Sequence, residues 1–497
     1  MVSIEKKNEI YLRVGAEMHI HHELSEYFCF EVPEAKYLQK RKRYRRWDGK
    51  IRLYSPGTGE LYVGLYPYLI EWLQKMGYDY KIEDSEYGDP DEFDANISQE
   101  TVKSFVRSLG LPFKARDYQL AAIYSALRNH RRLLLSPTGS GKSVIIYVLV
   151  RWYLKRDKQI LIVVPSISLV EQLYKDFKTY RWYSKEVGKI YGGMGGRDQW
   201  QEYPVIISTW QSIYKEDPQF FKRFDVIIGD EAHQYKSKSL TGILNKCFDA
   251  KYRFGLTGTL DGLQCHQLML EGMFGSVERT VRTSELQKDG YLSDLKINIL
   301  LCRHDTIFFE DYQEEINKII EHRKRNKIIC KLSLDIANNT LILFNFVEKH
   351  GEPLWELLNS INKLKHTDTQ KQLFFIHGGV AAEEREKVRE LCEHNSNAII
   401  LASYGTFSTG INIKNLHNII FASPMKSRVR NLQSIGRALR THDSKAQATL
   451  YDFADDFSNE HYRNITLNHL KERIKIYKQE RFNYSICLLY TSPSPRD

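Results

Sequence analysis

Residues 133–150 constrain this chain more tightly than any other stretch. Three leucines, 133–135, lead into Ser136-Pro137-Thr138-Gly139-Ser140-Gly141-Lys142-Ser143, and an apolar helical pattern resumes over 144–150. A buried strand that stops at a glycine-bearing loop and restarts as a helix is the phosphate-binding arrangement of a parallel α/β sheet. Gly139 and Gly141 let backbone N–H groups close around phosphate oxygens, with Thr138 and Ser140 completing the loop. Lys142 can reach the β- and γ-phosphates, Ser143 can ligate Mg²⁺, and the helix N-terminus favours the anion. Ser136 stands where the common pattern has its first glycine. A chance Gly/Ser turn would lack the flanking strand and helix.

The same rhythm of short, wholly apolar runs continues at 160–164, 205–207 and 226–228, and returns at 341–344, 373–376, 398–401 and 419–421. Such runs suit strands buried on both faces, and their alternation with helical stretches predicts two doubly wound, parallel-sheet α/β lobes. The run at 226–228 ends in Gly229-Asp230-Glu231-Ala232-His233, 88 residues after Lys142. Asp230 is placed to hold Mg²⁺ and Glu231 to polarise an attacking water. Paired acids alone are more often a solvated turn, but these stand at the carboxyl end of a predicted strand. Gln433-Ser434-Ile435-Gly436-Arg437-Ala438-Leu439-Arg440 supplies cations. On a helix Arg437 and Arg440 would share one face, where they could stabilise charge developing on a γ-phosphate.

The formal net charge of +10 is concentrated near the N-terminus. Residues 36–52 hold nine bases, among them Lys40, Arg41, Lys42, Arg43, Arg45 and Arg46, against the single acid Asp48. Tyr37, Tyr44, Trp47 and Tyr54 are interleaved, which offers cations for phosphates and flat rings for stacking, a nucleic-acid footprint. A solvated basic helix or hairpin is the plainer alternative. Seven acids without a base over 83–94 read as a linker. The predicted division is therefore 1–95, a small basic α/β domain; 96–290, lobe one; 291–487, lobe two; and 488–497, a non-native or disordered tail with two prolines and no assigned function. Within the first domain, β-like stretches are expected at 11–14, 27–32, 50–54 and 61–63, with a helix over 67–76. His19, His21 and His22 are expected on a half-exposed strand rather than at a metal.

At 497 residues, with 42% hydrophobic and 27% charged, the chain falls in the folded, multidomain class. Its apolar runs are far short of the ~18 residues that cross a bilayer. The first residues lack a secretory pattern. A cytoplasmic location is expected, which is the host cytoplasm for a phage-encoded chain. Seven scattered cysteines without a Cys-x-x-Cys pair argue against disulfides and structural zinc.

Taken together, these residues resemble the helicases of superfamily two over about 113–457. Arg116, Tyr118 and Gln119 resemble the nucleotide-base element. Val164-Pro165-Ser166 and Ser208-Thr209-Trp210 resemble segments that track a strand backbone. Leu256-Thr257-Gly258-Thr259 is similar to the motif that, with His233, couples hydrolysis to movement. In lobe two, residues 342–346, Ser403-Tyr404-Gly405-Thr406, Gly410-Ile411-Asn412 and the Gln433 to Arg440 element follow in the family's order. The resemblance implies RecA-like lobes, ATP and Mg²⁺ as cofactors, and strand contacts at Ser166, Thr209 and Thr406. It also places Gly410, Asn412 and Gln433 at the nucleotide and makes Arg437 and Arg440 arginine fingers.

The Asp-Glu-Ala-His acids and the Arg-x-Tyr-Gln element favour DNA over RNA. Within the superfamily the chain resembles the UvsW helicases of tailed phages in its basic N-terminal domain, its 131–143 segment and its length. That implies work on branched DNA: fork regression, Holliday-junction branch migration, unwinding of R-loops or D-loops, and strand annealing, in replication, recombination and repair. DNA, branched or at duplex/single-strand junctions, is the expected partner, with RNA–DNA hybrids, a monomeric state and contacts to phage replication or recombination proteins also implied. The rivals are an RNA helicase, a restriction-type duplex translocase, and an ATP-regulated annealing or DNA-binding protein. An intact Glu231 and Arg437 argue against the last, since binding alone needs no positioned water or finger.

Overall fold

The computed structural model describes residues 1–32, 35, 47–183, 185–192, 201–235, 237–410, 413–442 and 445–490. It divides into two compact units: Met1–Ser136 with Gly141–Thr280, and Val281–Asp497 with Pro137–Ser140.

Unit one begins with a five-stranded sheet in the order 54–55, 60–62, 11–15, 2–6, 80–82. Alternate burial along Val2–Lys6 shows one face packed and one open. Helix Tyr66–Met76 takes Pro67 in its first turn and stops at Gly77, whose φ of 73° suits a left-handed cap. One expectation is corrected here: His19, His21 and His22 lie on helix Met18–Tyr27, not on a strand. Ile20 and Leu24, four apart, are its buried residues, so a one-sided helical stripe overrides the weak alternation. The strand expected at 27–32 shrinks accordingly to Cys29–Glu31.

This small domain is joined tightly to the rest of unit one. Leu268, from helix Gln264–Phe274, is part of its apolar core. Tyr68 Oη donates to Glu271 Oε2 at 2.6 Å. Buried Glu9 is paired with Lys6 at 2.9 Å and with Arg131. Burial would raise the Glu9 carboxyl, but Arg131 and Lys6 outweigh it and hold it below its ordinary value. The acidic segment 83–94 is tied down as well: Glu92 pairs with Lys251 at 2.6 Å, and Asp94 N donates to Arg128 O at 2.7 Å.

The main sheet of unit one has seven strands, all parallel, in the order 187–190, 205–209, 160–164, 226–230, 252–257, 131–135, 277–279. The expected strands at 133–135, 160–164, 205–207 and 226–228 are among them, and 160–164 is buried at every position. Unit two repeats the design in the order 372–376, 398–403, 340–344, 418–421, 447–456, 294–303, 483–490. Its last strand, Asn483–Tyr490, runs past the boundary expected at residue 488: Leu488, Leu489 and Tyr490 sit in register with Leu301, Cys302 and Arg303. Among the described residues, no helix is long and apolar enough to cross a membrane.

Candidate active site and nucleic-acid interface

The phosphate loop follows strand Arg131–Leu135 and ends at helix Lys142–Leu154, both elements of unit one. Gly139 and Gly141 have φ of 86° and 83°, the left-handed region that side chains resist. A Cβ at Gly141 would also lie 2.5 Å from Gln119 Nε2, so the base element and the loop require glycine at their contact. Gln119 is buried and accepts from Arg116 N at 2.9 Å through Oε1, while Arg116 Nη1 donates to Tyr118 Oη at 2.7 Å. Lys142 Nζ is 3.4 Å from Ser136 O, and Ser140 Oγ donates to Pro137 O at 2.6 Å.

Asp230 closes strand Val226–Asp230, and Glu231 follows with φ of 50°. A non-glycine residue held there costs on the order of 1–3 kcal/mol and is commonest where function fixes the backbone. The Glu231 N–H donates to Asp230 Oδ1 at 2.9 Å. Burial, then the adjacent Glu231 charge, pushes the Asp230 carboxyl up to about 6, with Lys142 offsetting part of the rise. The site therefore has a surplus of negative charge that a cation would relieve. Ser143 and Asp230 offer two hard oxygen donors, and the described residues hold no cluster of three His, Cys, Asp or Glu side chains able to bind a metal. Such a donor set fits Mg²⁺, which fills most of its octahedral shell with water and phosphate oxygens.

His233 Nδ1 lies 2.9 Å from Thr257 Oγ1 and 3.4 Å from Glu231 Oε2. Thr257 Oγ1 in turn donates to Thr259 O at 3.1 Å. The expected coupling residues thus form one chain of contacts with the acids. Ser166 caps helix Ile167–Thr179 by accepting from Leu169 N. Thr209, at the end of a strand paired with 160–164, shares a hydrogen bond of 2.9 Å with Ser212. Gln211 Nε2 donates to Pro165 O at 3.2 Å, which draws the segments around Ser166 and Thr209 together at the carboxyl edge of the sheet.

In unit two, Thr406 and Ser403 share a hydrogen bond of 2.8 Å at the end of strand Ala398–Ser403. Gly410 ends helix Tyr404–Gly410, and the Arg437 guanidinium stands 5.5 Å from the Phe407 ring centroid of that helix. Gln433 and Arg437 lie on helix Arg428–Ala438. Arg440 does not: contrary to the spacing argument, the helix ends at Ala438 and Arg440 forms a β-bridge with Leu292. The stop has identifiable partners. Lys445 Nζ donates to Ala438 O at 2.8 Å and Ser293 N to Leu439 O at 2.7 Å, claiming carbonyls that another turn would have used. Trp47 Nε1 donates to Lys50 O at 2.9 Å. Lys40, Arg41, Lys42, Arg43, Arg45, Arg46 and Asn412 lie outside the described residues.

Two neighbours of the loop were not marked by any motif. Tyr180 Oη shares a 2.7 Å hydrogen bond with Ser143 Oγ, and Thr280 Oγ1 donates to Ser136 Oγ at 3.1 Å. Tyr180 caps the end of helix Ile167–Thr179 and Thr280 follows strand Val277–Arg279, so tertiary packing rather than sequence proximity brings both there.

Residues 112–262 match the family model for the res subunit of type III restriction enzymes, 303–442 the helicase conserved C-terminal domain, and 2–83 the N-terminal domain of the DNA helicase UvsW. The chain is 34% identical over 499 residues to the ATP-dependent DNA helicase uvsW of Enterobacteria phage T4, covering 95% of this chain and 96% of that one. It is 25% identical to the DNA 3'-5' translocase XPB2 of Sulfurisphaera tokodaii, over 70% of this chain and 84% of that protein. Among solved structures, the crystal structure of T4 UvsW covers 98% of this chain and 99% of its own at 30% identity, with a TM-score of 0.51.

Proposed function

Because the chain belongs to the UvsW family of ATP-dependent DNA helicases, we propose that it is a motor that remodels branched DNA by fork regression, junction branch migration and unwinding of R-loops or D-loops. The observation that carries this reading is the likeness to the T4 helicase from end to end, small N-terminal domain included. That domain shares core residues and a buried ion pair with the rest of unit one. The basic segment it carries would therefore travel with the first motor unit, adding salt-dependent grip on a duplex arm without reading sequence.

In the proposed cycle, Gly139, Gly141 and Lys142 hold the triphosphate, with Arg116 and Gln119 toward the base. Ser143 and Asp230 would hold Mg²⁺, which when bound neutralises phosphate charge. Glu231 orients the attacking water and accepts its proton as the new oxygen–phosphorus bond forms and the bond from the γ-phosphorus to the β,γ-bridging oxygen breaks, ADP leaving with that oxygen. Arg437 and Arg440 stabilise the charge that develops, while Gln433, Gly410 and Asn412 complete the nucleotide contacts. His233, Thr257 and Thr259 pass the change to Ser166 and Thr209, and Thr406 answers from unit two. The protein is proposed to act as a monomer in the cytoplasm, alongside replication and recombination proteins.

The test is ATP hydrolysis by the intact chain and by Lys142→Ala, without nucleic acid and with single-stranded DNA, forked DNA, a four-way junction or RNA. Stimulation greatest with branched DNA and absent from the variant supports the reading. Equal stimulation by RNA would return the RNA-helicase alternative.

A further inference from the structure

Helix Arg323–Asp335 of unit two reverses the charge order that helices favour. Arg323 and Lys324 open it, no acid stands in its first turn, and no base stands in its last. The N-terminal end of a helix carries partial positive charge, so cations there are unfavourable for the helix itself. Helix Ile465–Gln479 in the same unit does the opposite, keeping Lys475 and Lys478 in its C-terminal half.

Arg323, Lys324, Lys327 and Lys331 are all exposed. At 3.6 residues per turn they fall within an arc of about 100° along about 12 Å of helix. None has an ion-pair partner among the described residues. Glu321, just ahead of the capping His322, is the nearest acid in sequence. The opposite face is pinned. Arg325 Nε donates to Asp455 at 2.8 Å, and His350 joins Asn326 at 3.4 Å to Ser423 at 3.0 Å. Ser423 Oγ also accepts from Asn345 N at 3.2 Å. Asp455, Asn345 and Ser423 lie at or just beyond the carboxyl ends of strands 447–456, 340–344 and 418–421. The start of this helix therefore stands at the edge of the sheet that also carries Ser403 and Thr406.

We infer that Arg323, Lys324, Lys327 and Lys331 form a second DNA-binding surface that grips the phosphate backbone from unit two; the inference rests on the DNA-helicase reading above. Phosphates of one strand recur every ~3.4 Å along a duplex, so a row of about 12 Å meets three or four of them. Lysines on flexible stems act there as point charges and read no sequence. The surface would hold the strand or duplex arm as it leaves the Ser403 to Thr406 turn, and unit two would have its own grip, separate from the basic N-terminal segment.

The test compares the full chain with Lys324→Gln/Lys327→Gln/Lys331→Gln and with Lys471→Gln/Lys475→Gln/Lys478→Gln, which removes the same charge from the same unit. Dissociation constants for forked DNA are measured between about 50 and 200 mM salt, after melting curves show both variants folded. Loss of three contacts should flatten the slope of log Kd against log salt by about two to three and weaken low-salt binding roughly tenfold in the first variant only. An unchanged slope in that variant, or an equal change in both, would overturn the surface. A wild-type chain that neither binds DNA nor hydrolyses ATP on it would overturn the helicase reading, and the surface with it. If the first variant keeps its DNA affinity but loses retention of an acidic protein, the surface belongs to that partner and not to DNA.

Discussion

His233 Nδ1 and Thr257 Oγ1, 2.9 Å apart, tie the acid-bearing turn after one strand to the end of the next. The Thr257 hydroxyl also reaches Thr259 O at 3.1 Å, so one side chain joins the acid-bearing turn to the residues after the next strand. Removing the hydroxyl should leave nucleotide binding intact and cut the link from hydrolysis to motion. Thr257→Val is expected to keep ATP turnover within a few-fold while strand displacement per ATP falls about tenfold, the upper scale of a lost hydrogen bond. Parallel loss of both activities would mean that the contact serves only to shape the hydrolytic site.

Glu231→Gln keeps the size and the backbone of the residue and removes the proton acceptor. Turnover should fall ~10²–10⁴-fold with Mg²⁺–ATP binding retained, as for loss of a general base. A fluorescent nucleotide titration beside a phosphate-release assay distinguishes this from a collapsed site, in which binding would fall too.

Stability of unit two should decline in mild acid. Burial, with Arg325 adding to it, lowers His350 to about 3, against about 6.5 in an unfolded chain. The unfolded chain therefore takes up the proton first, and the stabilisation is complete above about pH 6.5 and drains as pH falls toward the folded value. Calorimetry at about pH 5 and about pH 7.5 should show a lower melting temperature in acid, and His350→Gln should narrow that gap. An unaltered gap would place the acid sensitivity elsewhere.

Gly64 lies against backbone of helix Gln264–Phe274, where a Cβ would overlap the Glu271 carbonyl oxygen. Gly64→Ala should force the small domain off its seat at a cost of about 1–3 kcal/mol, typical of overpacking. Limited proteolysis is expected to release an N-terminal fragment sooner from the variant, and its DNA-stimulated turnover should lose salt sensitivity. Wild-type cleavage kinetics would show that the domain is held by other means.

Much of the fold was legible because strands such as 160–164 are apolar at every position, and because the phosphate loop must sit between a strand and a helix. Strands Asp294–Arg303 and Gln447–Asp456 were not, since their burial alternates and leaves Asp294, Lys296 and Gln447 exposed. A search for unbroken apolar runs passes over such strands. The order of the site residues was readable, but their contacts were not. Nothing in the sequence links Tyr180 to Ser143 or Phe407 to Arg437. The position of Arg440 escapes the spacing argument because the helix end depends on Lys445, folded back from just downstream, and on Ser293, far off in the sequence. Helix Met18–Tyr27 was mistaken for a strand because only Ile20 and Leu24 mark its buried face.

The most direct measurement follows a labelled four-way junction with homologous arms on a native gel, with the intact chain, with Lys142→Ala, and with ATP or a non-hydrolysable analogue. The account predicts conversion of the junction to duplex products with the intact chain and ATP alone. Conversion that proceeds equally with the analogue or with Lys142→Ala would contradict a motor and leave an annealing or DNA-binding protein in its place.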